Sequence, residues 1–178
     1  APHNKIIVTG RNLERIANLQ NDFPNVVAIE SDVSSLEQIQ ALAKQVVAEH
    51  PGLDVLINNA GICQSFNLQR EHDDAKLTAE IEVNFKGLVR MVNAFLPHLR
   101  SKSSAAIVNI SSGLALTPFP AQPIYCATKA AVHSYSKSLR HQLSKTGVKV
   151  FEVLPPVVDT NMTANLRVYP KMDVEKHS

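Results

Sequence analysis

At 178 residues, 44% hydrophobic and with a formal net charge of +2, the chain has room for one globular domain with a real core and not for two. Its near balance of charge supplies no basic field for nucleic acid or anionic lipid, and its two cysteines, Cys63 and Cys126, exclude a disulfide framework and lack neighbours at metal-ligand spacing. No apolar run approaches the roughly 20 residues that span a bilayer and the N-terminus shows no secretion pattern, so a soluble cytoplasmic protein is expected, with no metal, membrane or nucleic-acid partner.

Residues 5–9 (KIIVT) form a short apolar run closed by Gly10, and Leu13, Ile16, Ala17 and Leu19 recur at helical spacing over 11–21, which predicts strand, turn and helix. Pro24 and Asn25 end that helix before a β-branched run at 26–29 (VVAI), a second strand leading into Glu30, Ser31 and Asp32. Ser34 or Ser35 caps the next helix, whose stripe is Ile39, Leu42, Val46 and Val47 and whose end is marked by Pro51 and Gly52. Residues 53–57 (LDVLI) are a third strand, and Asn58, Asn59, Ala60 and Gly61 after it predict an abrupt turn.

Over 76–99, Ile81, Phe85, Leu88, Val92, Phe95, Leu96 and Leu99 recur every three or four residues, as in one long helix that frays near Pro97. Residues 105–110 (AAIVNI) are a fourth strand, followed by a loop at 111–123 in which prolines and a glycine argue against regular structure. A helix starting at Gln122 or Pro123 runs to about 144 with the stripe Ala127, Ala131, Tyr135, Leu139 and Leu143, and 148–154 (VKVFEVL) is a fifth strand stopped by Pro155 and Pro156. Strands alternating with helices predict a doubly wound, Rossmann-like α/β fold with a parallel sheet.

Tyr125 and Lys129 stand four apart on one helix and so share a face. A free phenol has a pKa near 10, and proton transfer near pH 7 asks for a value about three lower, equivalent to about 4 kcal/mol in favour of phenolate. A neighbouring ammonium supplies part of that. Ser112 follows the fourth strand, in the region outside the carboxyl ends of parallel strands where open α/β sheets bind ligands, and its hydroxyl is able to hydrogen-bond a carbonyl oxygen.

Four segments in order, Asn58-Asn59-Ala60-Gly61, Val83-Asn84-Phe85-Lys86-Gly87, Asn109-Ile110-Ser111-Ser112 and Tyr125-Cys126-Ala127-Thr128-Lys129, resemble the short-chain dehydrogenase/reductase (SDR) family. The resemblance spans nearly the whole chain. It implies an oxidoreductase that reduces a carbonyl or oxidises an alcohol, with Tyr125 as general acid or base. Lys129 would lower the tyrosine pKa and bind the nicotinamide ribose, Ser112 would orient the substrate carbonyl, and Asn84 would hold a water linking Lys129 to solvent. For the cofactor it implies Asp32 and Val33 beside the adenine, unless Asp32 caps the following helix, and Asn59, Ala60 and Gly61 along the adenosine ribose and adjoining turn. Val158 and Thr160 would lie near the carboxamide. Arg11 sits where members that use NADP place a base for the 2′-phosphate, and neither Thr9 nor Gly10 is acidic, so NADP(H) is favoured over NAD(H). Gly113, Leu114, Leu116 and Phe119 suggest an apolar wall beside Ser112.

The sequence departs from the family in three places. Pro156 replaces a glycine. The first strand with its glycine-rich loop has no counterpart, since Thr9-Gly10 is followed by Arg11-Asn12-Leu13 with no further glycine. The last strand is also missing, so a single partial SDR domain is expected, belonging to a longer protein. Because the absent first strand is central in the family, lying between the strands that here come first and third, the sheet should split in two and leave strand edges unpaired. The resemblance points to a homodimer or homotetramer acting on a small carbonyl or alcohol. A shortened, non-catalytic chain that serves in protein interaction is the alternative.

Overall fold

The computed structural model describes residues 4–12, 14, 16, 18 and 22–156, which fall into two compact units, 1–53 and 54–178.

In the first unit, strands β1 (Ile6–Gly10) and β2 (Val26–Glu30) pair in parallel from Ile6↔Val26 to Gly10↔Glu30. Between them Glu14, Ile16, Asn18 and Asp22 are helical, and the Ile16 amide donates to the Asn12 carbonyl at 3.1 Å. The predicted stripe residues Leu13, Ala17 and Leu19 lie outside the described residues. Helix α1 (Leu36–Glu49) is capped by Ser35, whose hydroxyl accepts from the Gln38 amide at 3.3 Å. Asp32 therefore does not cap it: its carboxylate accepts from the Ser34 amide and hydroxyl at 2.8 and 2.7 Å, a local turn. Ile39, Leu42, Ala43 and Val46 form the buried face of α1, with Ala43 in the place expected of the half-buried Val47.

The second unit holds strands β3 (Val55–Asn58), β4 (Ala105–Ile110) and β5 (Val148–Val153), parallel and in that order. The predicted split is present, since β1-β2 and β3-β4-β5 are separate sheets. Parallel neighbours need crossovers. One is α2 (Asp74–Glu80), a π-helical stretch at Ile81–Gly87 and α3 (Leu88–Arg100), and the other is α4 (Pro123–Gln142). Leu56, Ile107, Val148 and Val150 on one face of the sheet are buried, whereas Val55, Ile57, Phe151 and Val153 on the other are exposed. Parallel strands joined through helical crossovers are the Rossmann-like α/β architecture expected from the alternation.

Three expectations for the crossovers change. The long helix is not uniform: its π-helical turns take up extra residues and rotate the phase, so Asn84 is buried while Ile81 is exposed and Phe85 is half-buried, its ring edge-on to Tyr135. Pro97 does not fray the end, because α3 carries it inside and continues to Arg100. On α4 the buried face is Cys126, Lys129, Val132, Ser136, Leu139 and Leu143, and Ala127 is exposed. Leu139 and Leu143 of the predicted stripe lie on it and Ala131 and Tyr135 are half-buried; because the first half of this face carries polar residues, apolar counting began the stripe on Ala127. The loop after β4 also contains one turn of 3₁₀-helix, Gly113–Ala115.

Gly147 enters β5 against the preceding hairpin of chain, where a Cβ would stand 2.7 Å from the Ser103 carbonyl oxygen and 3.0 Å from that of Lys102. Backbone cannot yield as a side-chain tip does. Gly147→Ala should therefore cost about 1–3 kcal/mol, the range for overpacking, measured by denaturant unfolding; a change below about 0.5 kcal/mol would show that the approach is not tight.

Candidate active site

The site is built at the carboxyl ends of β4 and β5. Their ladder continues past the strands: the Ser111 amide donates to the Val153 carbonyl at 2.9 Å and the Gly113 amide to the Pro155 carbonyl at 3.0 Å. This fixes Ser112 between two rungs. At Pro155 the ladder uses a carbonyl, so no N–H is required there.

Tyr125 lies in the first turn of α4 and Lys129 one turn on, with the Lys129 Nζ 5.6 Å from the centre of the tyrosine ring. Lys129 is buried and donates to the Ile110 carbonyl at 2.8 Å, which pins the helix to the end of β4. A second pin lies two turns further along: Asn58 Nδ2 donates to Asn109 Oδ1 at 2.9 Å, and Asn109 Nδ2 to Ser136 Oγ at 2.9 Å, all three residues being buried. Buried polar groups satisfied in this way fix one arrangement of strands and helix.

Ser112 faces the Tyr125 side chain closely enough to work on its pKa, and its Oγ accepts from the Leu114 amide at 3.2 Å. Burial raises the Tyr125 pKa, and Ser112 opposes it without reversing it. The expected lowering by Lys129 is thus not the outcome in this state. Lys129 is itself pushed down to about 8 by burial, because removing an ammonium from water disfavours its charged form.

Asn84 is buried and fully engaged: Oδ1 accepts from the Ile62 amide at 2.8 Å, and Nδ2 donates to the Ile62 carbonyl at 2.8 Å and to Thr128 Oγ1 at 3.1 Å. Thr128 Oγ1 donates to the Tyr125 carbonyl at 2.7 Å, joining the π-helical stretch to α4. The chain from Asn59 to Asn67 runs without regular structure or turn, and no described residue has a positive φ. The predicted abrupt turn is therefore absent, and Gly61 stands against Asn84 and Lys129. A Cβ on it would lie 3.4 Å from Asn84 Oδ1 and 3.6 Å from Lys129 Nζ.

Of the residues singled out from the sequence, Gly61, Asn84, Ser112, Tyr125 and Lys129 come together, with Asn59 and Ala60 exposed just before them. In the first unit Arg11 and Asp32 form an exposed ion pair, Nη1 to Oδ2 at 3.7 Å, beside half-buried Val33. Burial works to raise the Asp32 pKa, but the bonds from Ser34 and the Arg11 charge outweigh it and hold the carboxyl low. Val158 and Thr160 lie outside the described residues. In the expected apolar wall, Leu116 is exposed and Phe119 half-buried. Sequence reading missed Glu80, Thr128 and the Ile110 carbonyl.

The sequence matches the profile of the short chain dehydrogenase family over residues 2–170. The chain belongs to that family. It is 41% identical over 165 residues to the uncharacterised oxidoreductase DltE of Bacillus subtilis, covering 92% of this short chain dehydrogenase and 66% of its relative, so just under two thirds of the relative's length is represented. Among solved structures, a Burkholderia cenocepacia short chain dehydrogenase in complex with NADP shares 33% identity at a TM-score of 0.82, covering 96% of this chain and 68% of that one. A Burkholderia phymatum relative in complex with NAD shares 27% identity at a TM-score of 0.83, covering 93% and 61%. A nicotinamide dinucleotide is thereby implied, and the residues of the second unit fit its ribose end: Lys129 is a buried donor, and Gly61 leaves open the space a side chain would fill. No helix of the described residues is long and apolar enough to cross a membrane.

The Lys129 pKa carries a sign that a melting experiment reads. Its folded value, about 8, lies below the unfolded 10.5, so the unfolded chain binds more protons in that window and stability gained from this residue rises with pH through it. Lys129→Met should be favoured over the parent protein below pH 8, and its advantage should shrink as pH climbs toward 10.5, followed by calorimetry. A difference in Tm that does not change with pH would contradict the assigned burial.

Proposed function

We propose that the complete protein is an NADP(H)-dependent oxidoreductase that reduces a carbonyl or oxidises an alcohol, with Tyr125 as general acid and base. The observation that carries this is buried Lys129 with its Nζ 5.6 Å from the centre of the half-buried Tyr125 ring, and Ser112 held on the ladder at the end of β4 beside them. In reduction, the Ser112 hydroxyl and the Tyr125 hydroxyl both donate to the substrate oxygen, and as that oxygen gains charge Tyr125 releases its proton to it. The dinucleotide supplies the hydride. In oxidation, tyrosinate takes the alcohol proton. The phenolate that either direction requires is stabilised by Lys129 in its protonated form, at short range and away from water.

Arg11, Asp32, Val33, Asn59, Ala60, Gly61, Tyr125, Lys129, Val158 and Thr160 are the residues proposed to hold the cofactor. Asn84 is proposed to hold a water through the second lone pair of its Oδ1, linking Lys129 to solvent, and so to return protons to Lys129. The preference for NADP(H) over NAD(H) rests on Arg11, whose side chain is exposed and available to a 2′-phosphate once its ion pair with Asp32 opens. Such an exposed pair is weak, worth at most about 1 kcal/mol. Assembly as a homodimer or homotetramer follows the family resemblance. The non-catalytic reading finds no support in this geometry, because an interaction surface has no use for a lysine buried under a tyrosine and a serine.

Two substitutions in the complete protein separate these roles. Tyr125→Phe should lower kcat by about 10²–10⁴-fold, the range for loss of a general acid, while dinucleotide affinity by fluorescence titration stays near that of the parent; turnover that persists would remove Tyr125 from the mechanism. Arg11→Ala should weaken NADPH about 10–100-fold through loss of a charge-assisted bond and leave NADH nearly unchanged. Equal losses for both cofactors would defeat the NADP(H) assignment.

A further inference from the structure

Glu80 has no part in the chemistry described above, yet it is fully buried, at 0% exposure, at the end of α2. One carboxyl oxygen, Oε1, accepts from the Gln64 amide, and the other, Oε2, has no hydrogen-bond partner among the described residues. Asn84, one helical turn later, grips Ile62 through both its amide and carbonyl. Two side chains four residues apart thus hold backbone groups of residues 62 and 64.

We propose that Glu80 is a positioning residue of the reaction site: with Asn84 it forms a two-rung side-chain ladder that holds the segment 61–64 in place and thereby sets Gly61 and Cys63 against Tyr125 and Lys129. The segment needs such a device because, from 59 to 67, it makes no strand or helix of its own, so apart from the Phe66 amide's bond to the Ala121 carbonyl its position rests on what side chains give it. The cost of a shift is specific here. Gly61 borders the space between Asn84 and Lys129, and Cys63 is close enough that its thiol is pushed up to about 12 by burial and then by Glu80 and Cys126, against the pull of Lys129.

The rung requires an acceptor oxygen at the length of Glu, and no charge. Burial raises the Glu80 pKa, against the opposing effect of the Gln64 bond. Glutamine reproduces that shape and acceptor. Aspartate keeps the acid but is one methylene short of Gln64.

The experiment compares Glu80→Gln, Glu80→Asp and Glu80→Ala in the complete protein. It uses two readouts, kcat/KM and the rate at which iodoacetamide alkylates half-buried Cys63, followed by intact mass with buried Cys126 as the internal reference. The ladder predicts that Glu80→Gln stays within about twofold of the parent on both, while Glu80→Asp and Glu80→Ala lose at least tenfold in kcat/KM and speed Cys63 alkylation at least fivefold. Glu80→Gln behaving like the other two would show that charge, and not the rung, is what matters, and would overturn the proposal. So would parent-like behaviour of Glu80→Asp and Glu80→Ala. Should Glu80→Ala fail to fold, the Gln and Asp pair decides alone. The proposal rests on the reading of Tyr125 and Lys129 as the reacting pair only for its kinetic arm; alkylation of Cys63 needs no turnover, so loss of one reading leaves the other separately tested.

Discussion

One buried cation organises the second unit. Lys129 gives up most of its hydration, and the Ile110 carbonyl returns a single hydrogen bond. An ammonium in that position is costly to hold, which is why its pKa falls, and the fold accepts the cost only because helix α4 is fastened from several sides. Asn109 takes hold of Ser136, Arg140 Nε donates to the Val150 carbonyl at 2.9 Å, and Glu152 bonds His133 at 2.9 Å. Each of these ties α4 to β4 or β5. Lys129 could otherwise relieve its burial by letting the helix roll outward.

The remaining groups are placed by extending regular structure slightly beyond its ordinary limits. Past Ile110 and Val153 the parallel ladder gains rungs at Ser111 and Gly113, so a serine hydroxyl is presented with the precision of a strand. Across the site, a stretch of π-helix turns Asn84 inward, where an uninterrupted α-helix would have carried on the phase of Ile81 and Phe85. Such stretches are less favourable than α-helix and concentrate where function needs them. Asn84 then offsets the cost with three hydrogen bonds, one of them to Thr128 on α4.

The strands and the chemistry-bearing residues were legible because each announces itself locally. β-Branched runs gave β2 and β4, Ser35 gave the start of α1, and the residues that come together at the site stand in short segments at fixed spacing. The split sheet was legible too, from a strand the family has and this sequence lacks. What escaped depends on tertiary context. The stripe of α4 was placed on Ala127, Ala131, Tyr135, Leu139 and Leu143; the two leucines are buried, but its first half was misplaced because the buried face there carries Thr128, Lys129 and Ser136, and hydrophobic periodicity cannot see a polar core. Glu80 gave no signal: with Lys76 four residues before it, it has the pattern of a surface ion pair, and only the path of residues 61–64 shows what it meets. The glycine at 61 invited a turn, whereas its backbone is unexceptional and a Cβ there would meet Asn84 and Lys129 at ordinary contact distance.

Burial acts in opposite senses on the two members of the reacting pair. It raises the Tyr125 phenol and lowers the Lys129 ammonium, and both changes favour a neutral tyrosine beside a neutral amine over an ion pair. A tyrosine held in its neutral form has a proton to give, as reduction requires, but the tyrosinate left behind has to be compensated at once by positive charge close by. With Lys129 at about 8, that charge is mostly present at neutral pH and is lost not far above it. The same low-dielectric setting that depresses the lysine strengthens its attraction for the phenolate when the proton leaves, so the pair interacts weakly before transfer and strongly after it. Interactions that strengthen as charge develops are the ones that accelerate a reaction, which gives a physical reason for burying a lysine under this tyrosine despite its cost to the fold.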